Sequence, residues 1–101
     1  MAAYVIVEIE ILDEQAYADY RRRVPPLVRL FGGRYVARGE AVTLEGPPAA
    51  ARTVILEFPD VEAARRWHAA EEYRELRELR QRATRSRMRV VAGVTAQPWD
   101  A

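Results

Sequence analysis

Residues Tyr4 to Ile11 read YVIVEIEI, which places Val5, Val7, Ile9 and Ile11 on one side of an extended chain and Tyr4, Ile6, Glu8 and Glu10 on the other. Such a strand has one wholly apolar side that needs a cover, and a second side that mixes large apolar groups with carboxylates. The same two-sidedness returns in Arg52 to Phe58 (RTVILEF) and in Met88 to Val94. A further extended stretch is expected from Arg34 to Leu44, bent at Gly39 and followed by a turn at Gly46-Pro47-Pro48.

Two helical regions lie between these strands. Asp13 is placed to cap the first, whose apolar residues Tyr17, Tyr20, Val24, Leu27, Val28 and Phe31 recur at helical spacing. Pro25 and Pro26 predict a kink or restart near Val24, and Gly32-Gly33 ends the element. Asp60 is placed to cap the second region, with Val61, Ala64, Trp67, Tyr73, Leu76, Leu79 and Ala83 as inward positions. A change of phase at Ala69-Ala70 points to two packed segments or a break. Strand, helix, strand, strand, helix, strand is the order of an α+β, ferredoxin-like βαββαβ sandwich, a four-stranded antiparallel sheet with helices on one face.

With 101 residues, half of them apolar, the chain has enough material for one packed core and too little for two. One ferredoxin-like domain over residues 1–94 is expected, with a C-terminal tail at 95–101 that Trp99 can dock. No apolar run approaches the roughly 18 residues of a membrane span, and no leader pattern precedes the first strand, so a cytoplasmic address is expected. The absence of cysteine excludes disulfides and thiol chemistry. All 16 basic residues are arginine, yet the net charge of +1 lacks the basic excess of nucleic-acid binders, and no nucleic-acid partner is expected.

Two helices cover one sheet face and leave the other bare. Alternation assigns Tyr4, Ile6, Glu8, Val36, Arg38, Ile55, Glu57, Arg89 and Val91 to that bare face. Exposing it would forgo about 25 cal/mol per Å² of apolar burial, so a second copy pairing face to face, as a dimeric α/β barrel, is the economical partner. Glu8, Arg38, Glu57 and Arg89 form the first candidate site, with Tyr35 uncertain as to side. A carboxylate among apolar walls can have a raised pKa and serve as general acid or base, and an arginine can steady an anionic oxygen. The competing reading is an ion-pair network that fixes dimer register. His68, the only histidine, is a proton-transfer candidate or a helix-surface residue. Tyr73 and Arg77 lie four residues apart and can meet at a pocket edge, or serve packing and surface pairing. The arginine-rich stretch from Arg74 to Arg89 reads as a solvated face, since glutamates share it. No metal site or cofactor loop is expected.

The ordered segments AAYVIVEIEI, YRRRVPPL, FGGRYVARG, LEG, RTVILEFP, EAARRWH, EEYRELRELR and RVVAGV resemble the domain-of-unknown-function 1330 family of the dimeric α/β-barrel superfamily, from about Ala3 to Val94. The resemblance implies a ferredoxin-like protomer in a homodimer. It also implies recurring positions at Arg34, Tyr35, Arg38 and Gly39, at Glu45-Gly46, at Arg52, Glu57, Phe58 and Pro59, and at Trp67, Tyr73 and Arg77. Two departures stand out: Glu40 where a second glycine is common, and Ala70-Glu71 where a Ser-Pro pair often restarts a helix. Without that pair, the second helix is expected to run on.

The functional expectation is a homodimeric small-molecule-binding protein, acting on a small polar or anionic substrate by proton transfer if it is an enzyme. Glu57 or Glu8 would then be the proton acceptor, with His68 as a further acid or base. Arg38, Tyr35, Tyr73 and Arg77 would be the ligand contacts. Isomerases and monooxygenases of the same superfamily supply the analogy, which is one of fold. The rival is a non-catalytic dimeric assembly or regulatory module.

Overall fold

The computed structural model of the chain describes residues 1–49 and 52–94. The first strand, β1 (Ala3–Ile11), sits inside the sheet and is buried at every second residue, as its alternation requires. Asp13 caps α1 (Glu14–Arg23), its carboxylate accepting from Ala16 N at 3.1 Å. The helix closes at Val24, and Pro25 opens α2 (Pro25–Leu30) at a position where a missing amide hydrogen costs nothing. Gly32 follows at φ 84°, where a side chain would be strained. Gly33 is required for another reason: a Cβ there would lie 2.7 Å from the Phe58 ring and 2.8 Å from Val28.

The remaining elements are β2 (Arg34–Gly39), β3 (Arg52–Phe58), α3 (Val61–Ala69), α4 (Glu71–Ala83) and β4 (Thr84–Ala92). The strands form one antiparallel sheet in the order β2-β3-β1-β4. Val5, Val7, Ile9, Val54, Leu56 and Phe58 pack with Tyr17, Tyr20, Val28, Trp67, Tyr73 and Leu76 of the helices in one continuous core. This is the ferredoxin-like α+β arrangement that the element order implies. None of the described helices is long and apolar enough to cross a membrane.

Two strand boundaries differ from the sequence reading, the break near Ala69-Ala70 prevails over a continuous second helix, and α4 buries an unexpected residue. The second strand ends at Gly39 rather than Leu44, and it carries a bulge. Tyr35 faces Leu56 and Ala37 faces Ile55, which leaves Val36 as the extra residue. The second helical region does break, at Ala70 with extended ψ of 142°, even though no side chain caps α4. The fourth strand starts at Thr84 rather than Met88, because its register with β1 continues to the pair Ile11–Thr84. Finally, α4 buries Arg80. The tail from 95 and its Trp99 lie outside the described residues.

Candidate functional site

Strand register organises the open sheet face into rows. Arg34, Glu57, Tyr4 and Val91 form the first, and Ala37, Ile55, Ile6 and Arg89 the second. Gly39, Thr53, Glu8 and Arg87 form the third, beyond which Glu10 faces Arg85. Glu57 accepts from Arg34 Nε at 2.9 Å and from the Tyr4 hydroxyl at 3.1 Å. The Arg34 guanidinium, with help from Tyr4, holds this carboxyl below its usual range. Glu57 is therefore fixed as an anion, the opposite of the raised pKa that a general acid needs. Glu8 stands between Thr53 and Arg87 in the third row, and Arg85 reaches Glu10 at 3.4 Å.

Arg38 is not on this face. The extra residue in β2 reverses the alternation after Val36, so Arg38 lies opposite Val54 on the helix side, its guanidinium 5.0 Å above the Tyr35 ring. Tyr35 shares that side, and burial pushes its phenol up to about 12. The expected cluster of Glu8, Arg38, Glu57 and Arg89 is thus divided between two faces, and Arg38 cannot steady an anion formed by proton transfer to Glu57 or Glu8.

The helix side holds an apolar cleft of about 390 Å³ between α3 and β4, walled by Val5, Ala64, Trp67, Met88 and Val90 and rimmed by Arg65, His68 and Arg89. That volume suits a small organic ligand. Its floor follows from the sequence: Ala64 and Ala69 are small residues on α3, which leaves room beside Trp67. Trp67 is 1% exposed and stacks between Phe58 and Tyr73, at ring separations of 5.5 and 4.5 Å. Its Nε1–H is buried without a hydrogen-bond partner. Buried indole donors normally find an acceptor, so this one is an exception inside the packed core.

His68 is exposed at the rim of the cleft, and partial burial together with Arg77 and Arg80 holds its imidazole below the ordinary 6.5. It is consequently neutral near pH 7, with a lone pair free to take a proton. Arg77 does meet Tyr73, lying 5.9 Å over its ring, and also donates to the His68 carbonyl at 2.5 Å. It ties the start of α4 back to the end of α3 and so braces the cleft. Among the described residues no cluster of three or more metal-ligating side chains occurs.

Residues 2–94 match the family described as domain of unknown function (DUF1330). The chain belongs to that family. No curated protein matches it. Among solved structures, this DUF1330 chain is similar to a protein of unknown function from Rhodopseudomonas palustris, with 24% identity and a TM-score of 0.78 over 93% of this chain and 83% of that one. It is also similar to SnoaB, a cofactor-independent oxygenase from Streptomyces nogalater, at 11% identity and a TM-score of 0.69, covering 96% and 97% of the two chains. An antibiotic biosynthesis monooxygenase gives 19% identity and a TM-score of 0.58 over 94% and 100%. At these identities the likeness is one of fold.

Sequence reasoning passed over two features of the DUF1330 helix side. Arg80 is 4% exposed, donating to Ser86 Oγ at 2.6 Å and to the Tyr73 hydroxyl at 3.4 Å. The Tyr73 and Tyr20 hydroxyls are in turn 2.7 Å apart. The signal was available: Tyr73, Leu76, Arg80 and Ala83 follow the three-and-four spacing of one helix stripe. Met88, expected only as core, is the second residue besides Trp67 that lines both this cleft and the smaller cavity under α1.

Proposed function

We propose that this protein binds a small organic ligand in the cleft between α3 and β4, and does so as a homodimer closed through the open sheet face. The observation that carries the ligand reading is the apolar cleft of about 390 Å³ beside Trp67, with its charged groups confined to the rim. Arg65 at the rim favours a substrate with an anionic end, and neutral His68 beside it is the group suited to take a proton from it. This reading moves the proton acceptor from Glu57, whose carboxylate is engaged by Arg34 and made a weaker base, to His68. The named oxygenases of similar fold make oxygen consumption a reaction to measure alongside proton transfer.

Support for the homodimer comes from the open face itself. Ile6 and Ile55 sit at its centre, side by side, with Arg85, Arg87 and Arg89 along one edge and Glu8, Glu10 and Glu57 nearer the middle. A second copy turned face to face would bury the isoleucines and set arginines against carboxylates.

Naphthoate, a flat apolar body with one carboxylate, is a suitable probe of the cleft. Titrating it into the protein should shift the Trp67 indole N–H resonance to saturation. Ala69→Phe, a change at an exposed position lining the cleft, should abolish the shift while leaving the fold intact. A shift that fails to saturate, or that survives Ala69→Phe unchanged, overturns the assignment.

A further inference from the structure

The second cavity lies on the other side of Trp67 and Met88, beneath α1 and α4. It has a volume of about 30 Å³, and its walls include Arg21, Arg38 and Arg80 together with Tyr17, Tyr20 and Tyr35, with no aspartate or glutamate among them. Arg80 is the unusual member. Buried cations are normally paired with carboxylates, because an uncompensated charge in the interior costs several kcal/mol. Here the named hydrogen-bond partners of the guanidinium, Ser86 Oγ and the Tyr73 hydroxyl, are both neutral. None of the ion pairs among the described residues includes Arg80. The nearest acidic residues of its own helix do not help: Glu75 is exposed and occupied by Arg23 at 3.0 Å, and Glu78 is exposed.

We propose that this inner cavity is a binding site for the carboxylate group of a small acid, with Arg80 as its buried cation and Arg21 and Arg38 as its exposed outer wall. Among the described residues no carboxylate pairs with Arg80, and the walls besides the arginines are apolar side chains and phenols, so a bound anion would supply the missing charge. Size selects the class. A space of about 30 Å³ holds one or two water-sized groups, which limits the occupant to a small anionic head group. Shape agrees, because a planar guanidinium fork matches two carboxylate oxygens. The surrounding phenols suit an anion too. Burial raises the pKa of Tyr17, Tyr20 and Tyr35, so their hydroxyls keep their protons and remain donors at neutral pH. The site is distinct from the cleft and does not need the cleft to be occupied.

Sodium acetate is the probe, compared with sodium chloride at equal ionic strength on the whole chain. Nitrogen-labelled protein should show a saturable shift of the Arg80 Nε–H resonance with acetate and a response at least several-fold weaker with chloride. Arg80→Met should remove the acetate response. Arg21→Gln and Arg38→Gln change exposed side chains, so they stay informative should Arg80→Met fail to fold, and together they should weaken acetate binding several-fold. Ala69→Phe should leave the acetate response intact while removing that to naphthoate, which separates this site from the cleft. The proposal is overturned by the absence of saturation, by an equal response to chloride, or by an unchanged response in the Arg21→Gln, Arg38→Gln double variant.

Discussion

The two faces of the sheet are built from alternate residues of the same strands, yet they solve different problems. The helix face buries its aromatic residues in a continuous core and leaves specific polar atoms unmet: the Trp67 Nε1–H and the charge of Arg80. The open face reverses this. Its charged groups include close pairs, Glu57 with Arg34 and Glu10 with Arg85, while Ile6 and Ile55 remain only partly buried. One face lacks polar partners and the other lacks apolar cover. The first deficit is what a small ligand corrects, and the second is what a protein surface corrects.

The largest effect should come from the covered side. Trp67→Ala removes the ring that joins Phe58 to Tyr73 and should lower the unfolding free energy by about 3–5 kcal/mol in chemical denaturation. Ile6→Ala on the open side should cost far less in protein dilute enough to be monomeric. Equal losses would break the contrast between the faces. Next in size, Ile6→Arg should dissociate the dimer, with sedimentation reporting the 11.6 kDa chain in place of twice that mass and far-ultraviolet dichroism unchanged. A variant that keeps the doubled mass would place the interface elsewhere.

The acid side of the stability profile sharpens the comparison further. Arg34 holds the folded Glu57 carboxyl below its ordinary 4.5. Its contribution is present above that value and is lost as pH falls through the lower, folded pKa. Glu57→Gln should flatten this part of the profile and change little at neutral pH. A loss of ligand binding with the dimer intact would instead return Glu57 to the site. The smallest effect belongs to His68. Its folded pKa also lies below 6.5, so the unfolded chain takes up the proton first, and stability falls as pH drops from 6.5 through the folded value. Its nuclear magnetic resonance titration midpoint should lie below 6.5, and Arg77→Gln should raise it.

Most of the fold was legible because alternation and helical spacing are strong local signals. The strands around Val5–Ile9 and Val54–Phe58, the Asp13 and Asp60 caps and the Pro25 restart all follow from patterns a few residues long. The ends of β2 and β4 were less legible, because pairing with a neighbour decides where a strand stops. Thr84–Arg87 looks like an exposed polar run until β1 is laid beside it. The site was legible only in part. His68, Tyr35, Tyr73 and Arg77 fall around the helix-side cavities or brace them, whereas Glu8 and Glu57 belong to the open sheet face. Arg80 was hidden by its residue type: its spacing marks it as inward, and the ordinary cost of burying a charge argues against believing the spacing. The partnerless Trp67 nitrogen could not be read at all, since what a donor lacks depends on every element packed around it.

The bulge at Val36 has a consequence for how related chains are compared. A strand has only two settings for its side chains, so one residue gained or lost in β2 does more than change its length. Were Val36 paired in an unbroken ladder instead of bulged out, the positive charge of Arg38 would pass from the helix side to the open face, with no change in composition. An arginine aligned to this column in a relative therefore has a meaning only after the residues before it have been counted. Forming or losing the bulge in this short strand is a route by which the same side chain moves between the two faces of the sheet.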